Sequence, residues 1–547
     1  MKLFHLLLAA VQFAPFALFA QNNSSKPPLV QVKTTNGVLE GTTETSGIRS
    51  FKGIPFAKAP VGDLRWKEPQ PAENWAGVRK ADHFGANAMQ KKIFGDMLFR
   101  SSGMSEDCLF LNVWTPAKSS TEKLPVLVYF FGGGFVAGDG SEGRYDGESM
   151  AKKGIVTLTV NYRLGVFGFL AHPELTKESP HHASGNYGLM DQTAALKWVQ
   201  QNIEAFGGDP KRVTIAGESA GSISVFAQMA SPLSKNLIAG AIGESGAMIN
   251  PTAAPILLEQ AENKGVAFAQ KANVTSLAAL RAMPADDLLD AASQPGAFSV
   301  SAAVDGYFFP KLPVEIFAAG EQARVPLLAG WNSTEVQYQS LLGGDAPTPE
   351  NYASKLKQFY AEKSDEVLKL YPGKTQEEVI QSATALASDR FIVYSTWKWL
   401  DLHTKTSGQP TFRYIFSKPK PPMTSEFANA TPGLAGGITK NTAPPVVKTP
   451  VAAVGAPHAF EIEYAMGNLA TNKVYAWTAE DYKISATMLQ YFANFIKTGN
   501  PNSGSLPAWP SLNKNGNFPY MNIGLQTQEE KEQHRGRYLF LDQVYQK

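Results

Sequence analysis

Val213-Thr214-Ile215-Ala216-Gly217-Glu218-Ser219-Ala220-Gly221, running on into Ser222–Met229, is the stretch on which the reading of this chain turns. Val213 to Ala216 is apolar and β-branched, the composition of a strand covered on both faces, while Ser222–Met229 has a helical pattern. Between them G-x-S-x-G stands in strand–turn–helix context. There the serine occupies a strained elbow, and small neighbours let the helix pack close to the strand. The hydroxyl is presented at a helix N-terminus, which makes Ser219 the candidate nucleophile. The pentapeptide alone would describe an ordinary glycine-rich turn; the flanking elements carry the argument. A second turn, Gly243-Glu244-Ser245-Gly246, lacks the final glycine, and Ser245 reads as a supporting hydroxyl.

Working outward, Leu124–Phe131 and Ile155–Val160 are near-continuous apolar runs, as expected for strands in the middle of a large sheet. Leu189–Phe206 repeats Ala194, Ala195, Trp198, Val199 and Ile203 at helical spacing. Strand, helix, strand in that order predicts a parallel α/β unit. Upstream, Val30-Gln31-Val32 and Val38-Leu39-Glu40 flank Asn36-Gly37, the signature of a β-hairpin. Further helices are expected over Ile256–Ala272, Pro349–Leu370, Thr375–Leu402 and Ala479–Lys497. The fold class is α/β, with a large mostly parallel sheet flanked by helices and an N-terminal antiparallel hairpin.

A serine in water is a weak nucleophile and needs a base, normally histidine. In folds built on this elbow the chain order is Ser, acid, His, which leaves His403, His458 and His534. His403 ends a helical pattern and His534 lies in the charged Gln528–Arg537 stretch, so both read as solvated residues. His458, in Gly455-Ala456-Pro457-His458-Ala459-Phe460-Glu461, follows an irregular loop from which a base can reach over the end of the sheet. The acid must accept the other imidazole N–H. Pro326–Gly330 reads as a buried strand and leads to Glu335, and sites of this fold class gather at strand C-termini. Asp305 occupies the same interval, so position alone favours Glu335 only weakly. Donors for an oxyanion are expected from Gly133 and Gly134 in Phe130-Phe131-Gly132-Gly133-Gly134-Phe135, with the N–H of Ala220. No G-K-[ST] follows these glycines, which argues against a phosphate loop.

The chain has 547 residues, 18% of them charged, with a net charge of +2 and no long run of one sign. This composition excludes bulk disorder and coiled coil and gives no footprint for nucleic acid. Cys108 is the single cysteine, so neither an intrachain disulfide nor a Cys-rich zinc site can form, and no cofactor or metal is expected. Lys2 followed by an apolar run to Phe19 and Ala20 reads as a signal peptide over residues 1–20. The run is shorter than the ~20 apolar residues of a span and contains Gln12 and Pro15, so stable membrane insertion is not expected. Secretion or export to a periplasm follows as an expectation, with residues 21–547 as a single domain. Ser417–Val454, rich in Pro, Gly and Thr, reads as a surface loop. Because it ends near His458, it is expected to be a lid or substrate wall.

Taken together, several motifs resemble the type-B carboxylesterase/lipase family, which includes para-nitrobenzyl-type esterases and the cholinesterases. They are Phe51-Lys52-Gly53-Ile54-Pro55-Phe56-Ala57, Ser105-Glu106-Asp107-Cys108-Leu109-Phe110-Leu111-Asn112, Asn161-Tyr162-Arg163, Phe206-Gly207-Gly208-Asp209-Pro210, the elbow itself and Thr498-Gly499-Asn500-Pro501-Asn502. The resemblance covers nearly the whole chain after residue 20. It implies an α/β-hydrolase fold and hydrolysis of small-molecule carboxylic esters through an acyl-enzyme. Ser219, Glu335 and His458 match the triad, and Gly133, Gly134 and Ala220 match the oxyanion donors. The resemblance also implies buried ion pairs Arg65–Glu106 and Arg163–Asp191. In two places the chain departs from the family pattern. Ala88 stands where a half-cystine would pair with Cys108, and Phe131 replaces a histidine before the glycines. A peptidase on the same fold and a non-catalytic adhesion homologue are the rival readings. The first lacks a propeller-type repeat in this sequence, and the second normally loses the serine. The natural ester and the oligomeric state are not specified by any motif.

Overall fold

The computed structural model describes residues 30–94, 97–427, 430–434, 438–440, 454–513, 516 and 518–545. The expected leader, residues 1–20, and much of the distal part of the 417–454 loop lie outside the described residues. One 13-stranded sheet organises the chain. It opens with the expected hairpin, Val30–Lys33 against Val38–Thr43, and continues antiparallel through Arg49–Pro55 and Phe110–Thr115 to Val156–Val160. From there every neighbour is parallel: Leu124–Phe130, Gly208–Glu218, Gly240–Glu244, Leu327–Asn332, Thr411–Phe416 and Pro519–Ile523. An antiparallel edge strand, Gln528–Lys531, closes the sheet.

This strand order has a direct consequence for where a site forms. The chain leaves Leu124–Phe130 for Val156–Val160 on one side and then crosses back to Gly208–Glu218 on the other, so the strand order reverses there. A crevice opens outside the carboxyl ends of strands at such a reversal. The middle of the sheet is apolar because helices cover both faces; Val126, Val128, Phe130, Val213 and Ile215 are all fully buried.

Helices follow the expected patterns with differences that have local causes. Tyr187–Asn202 tightens into a 3-10 turn at Ile203–Phe206 and stops at Gly207, which has φ 82°. The pattern expected over 349–370 breaks into Pro349–Tyr360 and Ser364–Leu370, with Ala361 at φ 46° between them. The one expected over 375–402 runs from Gln376 to Thr406 but contains a π-helical turn at Asp389–Val393. Both ion pairs implied by the family resemblance form. Arg65 Nε and Nη2 meet Glu106 at 2.7 and 2.5 Å, and Arg163 Nε and Nη2 meet Asp191 at 2.8 and 2.7 Å. Cys108 is a buried free thiol, and Ala88, at the position matching the half-cystine, is buried as well.

Candidate active site

The elbow is built by close approach. Helix Ala220–Ala230 turns back at once against the sheet, and a Cβ on Gly221 would stand 2.0 Å from the carbonyl oxygen of Phe130 on the neighbouring strand. Glycine is therefore obligatory there. Ser219 has φ 57° and ψ −120°, a conformation costing on the order of 1–3 kcal/mol. Two hydrogen bonds hold it: Ser219 N–H donates to Glu244 O at 2.8 Å, and Ile223 N–H donates to Ser219 O at 2.9 Å. The first comes from the neighbouring parallel strand, so the sheet itself fixes the serine.

The glycine run leaves the end of Leu124–Phe130, next to the elbow. Gly133 and Gly134 have φ 111° and 65°, and a Cβ on Gly133 would meet Ala137 O at 2.1 Å. Their N–H groups donate to no acceptor among the described residues. Ala220 is the first residue of its helix, where an N–H has no intrahelical partner. Phe131 does not line the cavity beside these glycines. It stacks on Tyr162 with centroids 4.4 Å apart, and the Tyr162 hydroxyl donates to its carbonyl at 2.7 Å.

Glu335 and His458 come together although 123 residues separate them. The turn after strand Leu327–Asn332 is stitched to the histidine turn by Thr334 N–H to Ala456 O at 2.9 Å and His458 N–H to Glu335 O at 3.1 Å. Side chains add Ala456 N–H to Ser333 Oγ at 3.0 Å and Asn332 Nδ2 to Pro457 O at 2.8 Å. On Glu335, Oε2 lies 2.6 Å from His458 Nδ1, while Oε1 accepts from Ser245 Oγ at 2.6 Å and from Asn332 N–H at 2.7 Å. Three donors thus converge on one carboxylate. Ser245 is the supporting hydroxyl that its incomplete elbow suggested.

His458 Nε2 lies 3.2 Å from Glu218 Oε1, without the alignment of a hydrogen bond. No hydrogen bond joins it to Ser219 Oγ among the described residues, and such contacts commonly close only when substrate is bound. Both residues line the same cavity of about 580 Å³, with Gly133, Gly134 and Ala220. Its remaining wall is largely apolar, formed by residues such as Phe94, Met97, Phe169, Met248 and Phe391.

Sequence reasoning missed a buried acid cluster behind the histidine. Glu218 and Glu244 end adjacent parallel strands in register, and Glu461 begins the helical turn after His458. Burial raises the carboxyl pKa of all three, that of Glu244 to about 8. Tyr129 donates to Glu244 Oε1 at 3.2 Å, and Asn332 Nδ2 donates to Glu461. The signal lay in the motifs themselves, since Glu218 and Glu244 each precede an elbow-type serine.

Of the remaining candidates, one departs from expectation. His403 is fully buried rather than solvated; its Nε2 lies 2.9 Å from Val325 O, and burial lowers its pKa to about 4. His534 is exposed and away from the cavity lining. Asp305 accepts from Asn186 Nδ2 and from the N–H groups of Tyr307 and Phe309, which makes it the anchor of a structural turn. Phe135 lines the cavity, and Trp331, on the strand that leads to Glu335, packs edge to face on Tyr538. Of the 417–454 loop, Leu434 reaches the cavity wall among the described residues.

No described helix is long and apolar enough to cross a membrane. Residues 27–540 match the model of the carboxylesterase family. The chain is 33% identical over 506 residues to a fumonisin B1 esterase of Sphingopyxis macrogoltabida, covering 90% of this chain and 86% of that protein. It is 33% identical over 501 residues to a para-nitrobenzyl esterase of Bacillus subtilis, covering 88% and 92%. A solved para-nitrobenzyl esterase structure superposes with a TM-score of 0.76 at 30% identity, covering 93% of this chain and 99% of that one. By sequence and by an α/β-hydrolase fold shared over nearly its whole length, the chain belongs to the carboxylesterase family and is a carboxylic-ester hydrolase.

Proposed function

We propose that the chain hydrolyses esters through an acyl-enzyme, with Ser219 as nucleophile, His458 as general base and acid, and Glu335 as the carboxylate that orients His458. The observation that carries this reading is the 2.6 Å contact between His458 Nδ1 and Glu335 Oε2, with His458 and Ser219 on the wall of one cavity. As Ser219 Oγ attacks the ester carbonyl, its proton passes to His458 Nε2, and the imidazolium is stabilised by Glu335. The oxyanion is received by the N–H groups of Gly133, Gly134 and Ala220, each donor contributing about 3 kcal/mol of transition-state stabilisation. Collapse breaks the bond to the alcohol, which leaves with the proton from His458. Water then attacks the acyl-Ser219 ester with His458 again as base, releasing the acid and restoring the serine.

The apolar wall suits esters with a bulky acyl or alcohol part, in keeping with the names of the relatives. Leu434 on that wall is consistent with the 417–454 loop bounding the substrate, within a single domain over residues 21–547. Residues 1–20 are read as a leader that directs export, which N-terminal sequencing of protein recovered outside the cytoplasm would test.

Ser219→Ala should abolish turnover of an aryl ester while leaving the melting curve unchanged, and a stoichiometric burst of alcohol should be seen with the wild type alone. Wild-type kcat in the variant would remove the mechanism. His458→Ala and Glu335→Gln should each cripple kcat, and adding either to Ser219→Ala should cost little more, because triad members act as a unit.

A further inference from the structure

The helical rod from Gln376 to Thr406 is α-helical at both ends and π-helical over Asp389–Val393. A π-turn takes carbonyls out of the ordinary ladder, and such turns recur where a helix aims side chains at a site. In this rod the local carbonyls have side-chain partners. Thr252 Oγ1 donates to Phe391 O at 2.8 Å, and the hydroxyls of Ser395 and Thr396 donate to Ile392 O at 2.9 and 3.0 Å. The Tyr371 hydroxyl holds the start of the turn through Asp389 Oδ2 at 2.7 Å. One residue earlier, Ser388 Oγ accepts from Val336 N–H at 3.3 Å and donates to Val336 O at 3.1 Å. Val336 directly follows Glu335. From the same turn the half-buried Phe391 ring faces the cavity and meets the His458 imidazole edge to face, with centroids 5.0 Å apart and planes at 73°.

The histidine needs such a neighbour for a mechanical reason. Its Nδ1 is fixed by Glu335 at 2.6 Å, but one bond is an axle about which the ring can turn. At the far end, Nε2 lies 3.2 Å from Glu218 Oε1 without the alignment of a hydrogen bond, and Glu218 and Ser219 both line the cavity it faces. No hydrogen bond among the described residues fixes that end of the ring, so packing sets where it points. An aromatic ring packed on the imidazole restricts this arc, and the T-shaped arrangement is the favoured one for two aromatic quadrupoles.

We propose that Phe391 is a positioning residue for His458, and that the π-turn, tied through Ser388 to the backbone beside Glu335, holds acid and base in one register with Ser219. This rests on the reading of His458 as the base. The test is steady-state kinetics of the full chain on a short-chain aryl ester and on a series of longer acyl groups. Phe391→Leu, which keeps apolar bulk without a ring, should lower kcat about tenfold on every substrate while KM for the short ester changes less than about twofold. Phe391→Tyr, which keeps the ring, should retain about half of the wild-type kcat or more. If the leucine variant does not melt like the wild type, Phe391→Met takes its place. A KM that rises with acyl length while kcat is kept would make Phe391 a substrate wall only and overturn the proposal. Equal loss of kcat in the leucine and tyrosine variants would overturn it too. Ser219→Ala run alongside separates the two readings: activity there removes the triad assignment, whereas an inert Ser219→Ala with a fully active Phe391→Leu removes the role of Phe391 alone.

Discussion

Replacing Arg163 by methionine removes one half of an ion pair that has almost no access to water, the side chains of Arg163 and Asp191 being 3% and 0% exposed. Asp191 Oδ2 accepts from both the main-chain N–H and Nε of Arg163, at 3.0 and 2.8 Å, and Oδ1 accepts from Nη2 at 2.7 Å. Methionine fills much of the volume and keeps the main-chain bond, so the loss is the cation and two charge-assisted hydrogen bonds. Stranding a buried carboxylate in this way costs about 3–5 kcal/mol. With an unfolding entropy of ~2.1 cal/mol/K per residue, a cooperative unit of this length has a slope of about 1.1 kcal/mol per degree, so Tm should fall by about 2.7–4.5 °C. Differential scanning fluorimetry at a fixed heating rate reads such a shift, and the companion variant Asp191→Asn controls for it. In the double variant Arg163→Met/Asp191→Asn no charge is left buried, so much of the loss should return. A Tm unchanged within about half a degree in Arg163→Met, or strictly additive losses in the double variant, would refute the claim that burial makes this pair interdependent.

Glu244, whose carboxyl is pushed up to about 8 by burial, binds its proton more tightly in the folded than in the unfolded state, so its contribution is full at acid pH and is lost as pH rises toward 8. Glu244→Gln should therefore flatten the decline of Tm between pH 5 and about 8, and an identical slope in wild type and variant would show that Glu244 does not titrate in that window. Shortening the loop between Lys420 and Thr449 with a Gly/Ser bridge should change KM and preference among bulky esters while a small activated ester still turns over. Equal loss on all substrates would mean that the loop positions His458, and no change on any would make it a surface decoration. Ser245→Ala removes one of three donors to Glu335 and should lower kcat about tenfold or more, with a full rate showing that Asn332 N–H and His458 suffice.

The parts of the site visible in the sequence are those encoded locally. The elbow needs a strand, small residues and a helix within a dozen positions, and the glycine run needs only positive φ and the absence of Cβ atoms. Glu335 was legible more weakly, through its place beyond a strand end; no local feature separated it from Asp305 until the structure put three donors around one and a structural turn around the other. What stayed hidden depends on which strands become neighbours. Glu218 and Glu244 are far apart in sequence and adjacent only because their strands pair in register. The π-turn at Asp389–Val393 is likewise silent, because its residues keep a helical apolar pattern on either side. His403 reads as the polar end of a helix, yet strand Leu327–Asn332 and its approach cover it, so the side chain is retained as a neutral hydrogen-bonding core group.

The bonds that sew the Glu335 turn to the His458 turn also divide the chain into parts that can change at different rates. The excursion after strand Thr411–Phe416 leaves from a fixed point, with Ser417 N–H on Ile523 O at 2.8 Å and Thr424 N–H on Val474 O at 2.8 Å, and it returns to another at Ala456. Between such anchors a doubling of loop length costs only about 0.6 kcal/mol. Insertions, deletions and wholesale replacement there are cheap for the lineage, because they do not propagate into the distance between His458 and Glu335. On the proposed reading of the 417–454 loop as a substrate wall, a descendant of this enzyme acquires a new range of substrates by rewriting that segment, and laboratory libraries confined to it sample the same freedom.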